Sequence, residues 1–253
     1  MAAGADLVLD GGGGDNVFCA LQSVAPIAEA LLRRAPRSEM LEAAGALAAL
    51  AQTSVAKIFV RALQRAWLRS AAYRWPTDTH LLTREAIAAV GKIENQPWLV
   101  PPPGEGPGTA AHVALLLAAQ GWAERLDPAP IARESPLATQ PVAEACLSVP
   151  AWRWFGQGLS RTIARDAFAD LLPQSVLCRV SKGSPDGFVA QLFERNRGVI
   201  RPLLLEGRLR SERIIDTAAI ERALADPRPA NGADYRRIMR LVDVEAWAHS
   251  LAI

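Results

Sequence analysis

Leu7-Val8-Leu9-Asp10-Gly11-Gly12-Gly13-Gly14-Asp15-Asn16-Val17-Phe18 carries the strongest local signal in the sequence. An apolar, β-prone triplet runs into four glycines, then an acidic residue, then apolar residues at helical spacing, which is the order strand, tight loop, helix N-terminus. Glycines reach positive φ without strain, so successive backbone N–H groups can converge on one point. The start of a helix adds unpaired donors and the positive end of its dipole. Together these make an anion cradle, usually for phosphate or pyrophosphate. The plainer alternative is a flexible glycine turn, and the run matches neither G-x-x-x-x-G-K-[ST] nor a clean dinucleotide fingerprint. A carboxylate at Asp15 repels a bare phosphate, so its place in the run makes most sense with Mg²⁺ between the two.

Residues 15–34 are predicted to be one helix with Val17, Phe18, Leu21, Val24 and Ile27 on its apolar face and Pro26 as a kink. Parallel α/β sheets draw the other half of a ligand crevice from neighbouring strands, yet no second strand series is evident after residue 20. The expectation is therefore a mostly α chain, the back part of an α/β domain, with one N-terminal strand and a helical remainder. Ser38 is the predicted N-cap of a long helical region reaching about residue 72, with Arg65, Arg69 and Arg74 read as a solvated face. Further helices are expected over 83–90, 109–126, 139–148, 158–171, 186–198, 217–226 and 233–250. Proline rules out regular structure from Gln96 to Gly108, where Trp98 is expected to pack in the core. Trp152, Trp154 and Phe155 are expected to pack against a neighbouring helix.

Half of the 253 residues are hydrophobic and 21% are charged, as in a globular, soluble protein. A net charge of +2 makes no case for nucleic acid or an anionic membrane. No apolar run reaches the ~20 residues of a spanning helix, and Met1 to Asp6 has neither a basic region nor an apolar core of a signal peptide. Cys19, Cys146 and Cys178 are scattered and odd in number, which suggests buried thiols of a cytoplasmic protein. His80, His112 and His249 are equally dispersed, and His112 in its apolar run reads as structural. Nothing has zinc-site spacing, so the only metal expected is carboxylate-bound Mg²⁺.

A second segment stands out. Arg179-Val180-Ser181-Lys182-Gly183-Ser184-Pro185-Asp186 places Lys182 in a Gly/Ser/Pro loop after Leu171-Leu172-Pro173. A lysine held this way offers a compact charge to a phosphate or a developing oxyanion, although an exposed loop lysine is more often solvated and without a role.

Taken together these segments resemble a family. The run Asp10 to Phe18 resembles the second nucleotide loop, SGxGxDExF, in the synthetase domain of asparagine synthetases. Arg133-Glu134-Ser135-Pro136-Leu137 resembles that family's RxPFLD segment. Arg161 to Pro173, followed by Arg179-Val180-Ser181-Lys182-Gly183, resembles its LRxAxxxxLP…RxKxG segment. Within the family, the GGGGDNVF loop, Pro97-Trp98-Leu99, His112-Val113 and Ser135 to Pro141 look most like the lasso-peptide macrocyclases.

The resemblance implies an adenine-nucleotide alpha-hydrolase-like (ATP pyrophosphatase) fold. Residues 1–253 would form a partial synthetase domain, with the second nucleotide loop and its helix in 1–35 and a helical part in 36–253 that carries the lysine near 182. It also implies adenylation of a carboxylate by Mg²⁺-ATP, release of pyrophosphate and attack by an amine. Asp10, Gly11, Gly12, Gly13, Gly14 and Asp15 would bind the nucleotide, Asp15 would hold Mg²⁺, and Lys182 would be catalytic. The implied partners are a precursor peptide, a leader peptidase, a leader-binding protein and a complementing N-terminal half.

Three departures shape the expectation. The SGGxDS pyrophosphate loop and the amidotransferase domain with its N-terminal cysteine are not in this sequence, Gly12 stands where asparagine synthetases carry glutamate, and Asn16 replaces an acidic residue. An upstream half is therefore expected, with exposed apolar surface where its strands would pack. An asparagine synthase-like domain using ammonia and a non-catalytic remnant that binds a peptide or partner are the alternatives.

Overall fold

The computed structural model describes residues 6–90, 96–123, 131–179, 186–226 and 234–251. In chain order the elements are β1 (Leu7–Leu9), α1 (Gly14–Val17), α2 (Ala25–Leu32), α3 (Arg37–Leu50), α4 (Val55–Trp67), α5 (Arg84–Val90), α6 (Pro107–Ala123), β2 (Ala132–Glu134), α7 (Gln140–Leu147), β3 (Phe155–Gly156), β4 (Leu159–Ser160), α8 (Thr162–Ala167), α9 (Gln174–Leu177), α10 (Asp186–Leu205), α11 (Arg208–Ser211), α12 (Thr217–Ala225) and α13 (Asp234–Ser250). The chain divides into two compact units, Met1–Trp75 with Asn95–Val180 and Pro76–Glu94 with Ser181–Ile253.

The first unit is built on α2, which packs against α4 and α6 and buries Ala25, Pro26, Ile27, Ala28, Glu29 and Ala30. Its small side chains let those helices approach closely, while Trp152, Trp154 and Phe155 supply the bulk of the core beside them, as expected. The α6 N-terminus is satisfied by a buried carboxylate: Glu29 accepts from the Thr109 backbone N–H at 2.6 Å and from its hydroxyl at 3.1 Å. In the second unit α10 packs against α13, with Phe193, Ile200, Leu204, Ile220 and Ile238 buried. There Glu245 is buried and accepts from the backbone N–H groups of Arg208 and Leu209 at 2.6 and 2.8 Å.

The mostly helical expectation holds, but the single strand does not. β1 pairs in parallel with β2, in the register Leu7↔Ala132, Val8↔Arg133 and Leu9↔Glu134. Ala-Arg-Glu carries no alternating apolar pattern, so nothing in its composition marks it as a strand. A second, two-residue antiparallel pair joins β3 and β4, replacing the start of the helix expected over 158–171.

The helix expected over 15–34 is two helices. α1 stops after one turn because Cys19 adopts φ 55° and the Ala20 N–H turns back to the Asp15 carbonyl at 2.9 Å, the closing bond of a Schellman motif. Pro26 then sits in the first turn of α2, where its missing N–H costs nothing, instead of kinking a longer helix. The long helix from Ser38 likewise breaks in two. Gln52 at φ 49° ends α3, and the Ser54 hydroxyl accepts from the Lys57 N–H to start α4.

Smaller expectations also fail. The Pro/Gly segment contains a 3-10 turn at Pro97–Leu99, which buries Leu99 and leaves Trp98 72% exposed. Cys178 is exposed while Cys19 and Cys146 are buried. Arg65 is no solvated charge: its guanidinium donates to the carbonyls of Ser70, Ala71 and Ala72. Among the described residues no single helix is long and apolar enough to cross a membrane.

Candidate functional site

The parallel pairing of β1 with β2 aligns their carboxyl ends, and the glycine loop leaves from there. The ladder runs one step past β1, with the Asp10 N–H donating to the Glu134 carbonyl at 2.9 Å. Asp10 then turns inward. Its Oδ1 accepts from the Gly12 N–H at 2.9 Å and from the Ser135 hydroxyl at 2.6 Å, while Arg133 Nε lies 3.9 Å from Oδ2. Asp10 thus shapes the loop and ties it to the residues following β2.

The glycines differ in what they are for. A Cβ on Gly12 would lie 2.8 Å from Ser135 Oγ and 2.9 Å from Asp10 Oδ1, so any side chain there collides with that hydrogen bond. Gly13 takes φ 76° and would place a Cβ 3.0 Å from that of Ala138. The Gly14 N–H is held by the Gly11 carbonyl at 3.3 Å, whereas the Gly11 and Gly13 N–H groups meet no backbone acceptor among the described residues. Those two remain available to an anion. An anion here would therefore rest on loop amides, and the four-residue α1 contributes less dipole than the long helix expected there.

Asp15 lies in the first turn of α1, and its Oδ1 is ion-paired with Arg161, which itself occupies the left-handed region at φ 61°. Both side chains are about one-third exposed, at 34% and 31%, so the pair is open to ligand exchange. Among the described residues no three His, Cys, Asp or Glu side chains form a metal-binding group. A single carboxylate is enough where Mg²⁺ is bound mainly through phosphate oxygens and water; to take that role Asp15 would have to give up at least its pairing with Arg161.

The wall behind the loop is packed and rigid. Asn16 donates from Nδ2 to the Leu115 carbonyl at 2.7 Å, and Phe18 meets the rings of Trp154 and Phe168 at centroid distances of 6.2 and 6.3 Å. His112, 1% exposed, lies with Nε2 2.8 Å from the Val17 carbonyl. Since the carbonyl only accepts, the ring is the Nε2–H tautomer there. Burial lowers the His112 pKa from its ordinary value, partly offset by hydrogen bonding to the backbone of Val17 and Asn16. It is a neutral structural histidine, as expected.

Lys182 lies outside the described residues. The segment leading to it is held by a residue the sequence reading did not assign. Arg165 donates from Nε to the Ser160 carbonyl at 2.9 Å, from one terminal nitrogen to that of Leu177, and from the other to that of Arg179 at 2.9 Å. One planar guanidinium thus fixes the backbone up to three residues before Lys182. Arginine spacing alone carried no sign of this, because its acceptors are carbonyls.

The asparagine synthase family model matches residues 131–249, a little under half of the chain. The match begins at β2 and takes in Ser135, Arg161, Arg165 and Lys182, while the glycine loop lies before it. Over that span the chain is asparagine synthetase-like. No curated protein and no solved structure matches the chain.

Proposed function

We propose that this chain supplies the second nucleotide loop and the lysine loop of an ATP-dependent amide-forming synthetase of the lasso-peptide macrocyclase type. The observation that carries the reading is a convergence. Asp10 is bonded to Ser135, 125 residues away, and Asp15 is paired with Arg161, 146 residues away, so the glycine loop is joined to two segments of the asparagine synthase-like span.

In this reading the free Gly11 and Gly13 N–H groups donate to phosphate oxygens, and Arg161 and Lys182 offset the charge on departing pyrophosphate. Mg²⁺ held by Asp15 would neutralise the triphosphate. A substrate carboxylate oxygen bonds to the α-phosphorus as the bond to pyrophosphate breaks. The amine nitrogen then bonds to the acyl carbon as AMP leaves, and the amine's extra proton passes to solvent or a base. Arg165 holds the backbone that precedes Lys182 in sequence, through the carbonyls of Leu177 and Arg179.

Two observations refine the proposal. A glutamate at position 12, as in ordinary asparagine synthetases, would displace the Asp10–Ser135 hydrogen bond that closes the loop, so the loop is built differently from theirs at this position. Leu7, Val8 and Leu9 are 41%, 39% and 63% exposed on an open parallel pair, although parallel strands are normally covered on both faces. We therefore also propose that further strands, from a complementing half, cover them in the working enzyme. A precursor peptide, a leader peptidase and a leader-binding protein complete the proposed set of partners, acting in the cytoplasm.

The test is AMP release and peptide cyclisation in the reconstituted enzyme, followed by mass spectrometry. Lys182→Ala is expected to abolish product without loss of folding, and Asp15→Asn to lose Mg²⁺-dependent turnover. Near-normal cyclisation by Lys182→Ala would sink the lysine assignment, and formation of free asparagine from aspartate and ammonia would replace the macrocyclase reading.

A further inference from the structure

A cleft of about 520 Å³ opens in the first unit where the end of α4 and the chain after it meet the start of α2. Among the described residues three arginines line it, Arg65, Arg69 and Arg74, and no carboxylate does. Arg65 is committed to structure: its donations to the Ser70, Ala71 and Ala72 carbonyls pin the cleft wall. Arg69 and Arg74 are exposed and have no hydrogen-bond or ion-pair partner among the described residues. The Arg65 pKa is lowered, by burial first and by the charge of Arg69 second. Like charges thus crowd a preformed hollow, and an anion placed in it relieves the repulsion. The Ser23 and Ser70 hydroxyls on the rim accept the N–H groups of Ala25 and Ala72, which leaves each O–H free to donate.

Apolar surface runs away from the cleft. Leu68, 77% exposed, lines it, and Val60, Leu63 and Trp67 follow along one face of α4 at spacings of three and four, all exposed. From Val60 to Leu68 this track covers about 12 Å of helix, more than a single small anion needs.

We propose that this cleft and track bind an acidic peptide segment, with its carboxylates on Arg69 and Arg74 and its apolar side chains along Leu68 and the Val60–Leu63–Trp67 face. Guanidinium forks match carboxylates two bonds at a time, and a peptide with carboxylates at one end and apolar side chains along the rest matches a surface with Arg69 and Arg74 at one end of an apolar track. The proposal stands on this surface alone and does not depend on amide-forming activity.

Fluorescence anisotropy of the full chain with a fluorescein-labelled peptide in which a run of aspartates is followed by leucines tests it, with the same peptide carrying asparagine in place of aspartate as the comparison. The acidic peptide is expected to bind at least about tenfold more tightly. The pair Arg69→Ala and Arg74→Ala is expected to remove that difference with unchanged circular dichroism, and Arg210→Ala with Arg240→Ala, on exposed arginines of the second unit, to preserve it. Equal binding of both peptides, or equal loss in the two double variants, overturns the proposal. So does saturable binding through Arg69 and Arg74 of tripolyphosphate or of phosphatidylglycerol vesicles that the acidic peptide fails to displace, which would make this a phosphate or membrane-surface site.

Discussion

Replacing Gly12 by alanine tests the claim that the nucleotide-type loop is held shut by Asp10 and Ser135. The added Cβ would sit 2.8 Å from Ser135 Oγ and 2.9 Å from Asp10 Oδ1, where ordinary contact begins near 3.4 Å. Both oxygens end mobile side chains, so they retreat, and the cost is what they lose by retreating. Asp10 Oδ1 accepts two bonds, from Ser135 at 2.6 Å and Gly12 at 2.9 Å. Hydrogen bonds to charged groups contribute about 1.5–3 kcal/mol each, and water reaching this carboxylate replaces part of that, which leaves about 1–3 kcal/mol for the substitution. Hydrogen exchange at the 11–14 amides together with thermal unfolding reads the loss. The decisive measurement is a double-mutant cycle with Ser135→Ala, which clears one of the two collisions and has already broken the shared bond. Gly12→Ala is expected to cost clearly less in that background, with a coupling of about 1 kcal/mol. An equal cost in both backgrounds, or none in either, would refute the closed-loop geometry.

Three other outcomes are expected. Because burial depresses the His112 pKa in the folded state, the unfolded chain takes up the proton first on acidification. Stability from this group is full above about pH 6.5 and falls as pH drops below it. Melting temperatures from pH 5 to 8 should show less of this acid slope in His112→Gln, and an identical slope would be counter-evidence. Glu29→Gln keeps the shape but weakens the bonds to the α6 N-terminus, and should lower the urea midpoint by the equivalent of about 1–3 kcal/mol. Finally, a thiol reagent should modify Cys178 rapidly in the native chain while Cys19 and Cys146 react only on unfolding; fast labelling of Cys19 would contradict the burial that pushes its pKa up.

Much of the helical pattern was legible because apolar spacing survives in long helices: 186–198 and 233–250 fall within or nearly on α10 and α13. The breaks were not. α1, α2, α3 and α11 all stop on a residue in the left-handed region, and in each case it is Cys19, Arg34, Gln52 or Arg213, where a reader of sequence looks for glycine. β2 was invisible for another reason: a three-residue strand is specified by its partner, and that partner lies far away in the chain. In the site, the glycine run gave away the loop, but the roles inside it depend on contacts made across the fold. Asp10 belongs to loop closure through Ser135, and Arg161 and Arg165 act through a carboxylate and through carbonyls that no spacing rule connects to them.

The parallel register of β1 with β2 also sets a timetable for the newborn chain. Residues 7–14 are made before β2, yet Asp10 cannot close the loop until Ser135 has been made, 125 residues later. At about 5–20 residues per second that is a wait of roughly 6–25 s. Throughout it, an apolar triplet and four glycines stand without the partner that gives them shape. The glycine run thus waits on a segment made much later, and a chain interrupted before residue 132 would carry the run without the strand and the hydroxyl that shape it.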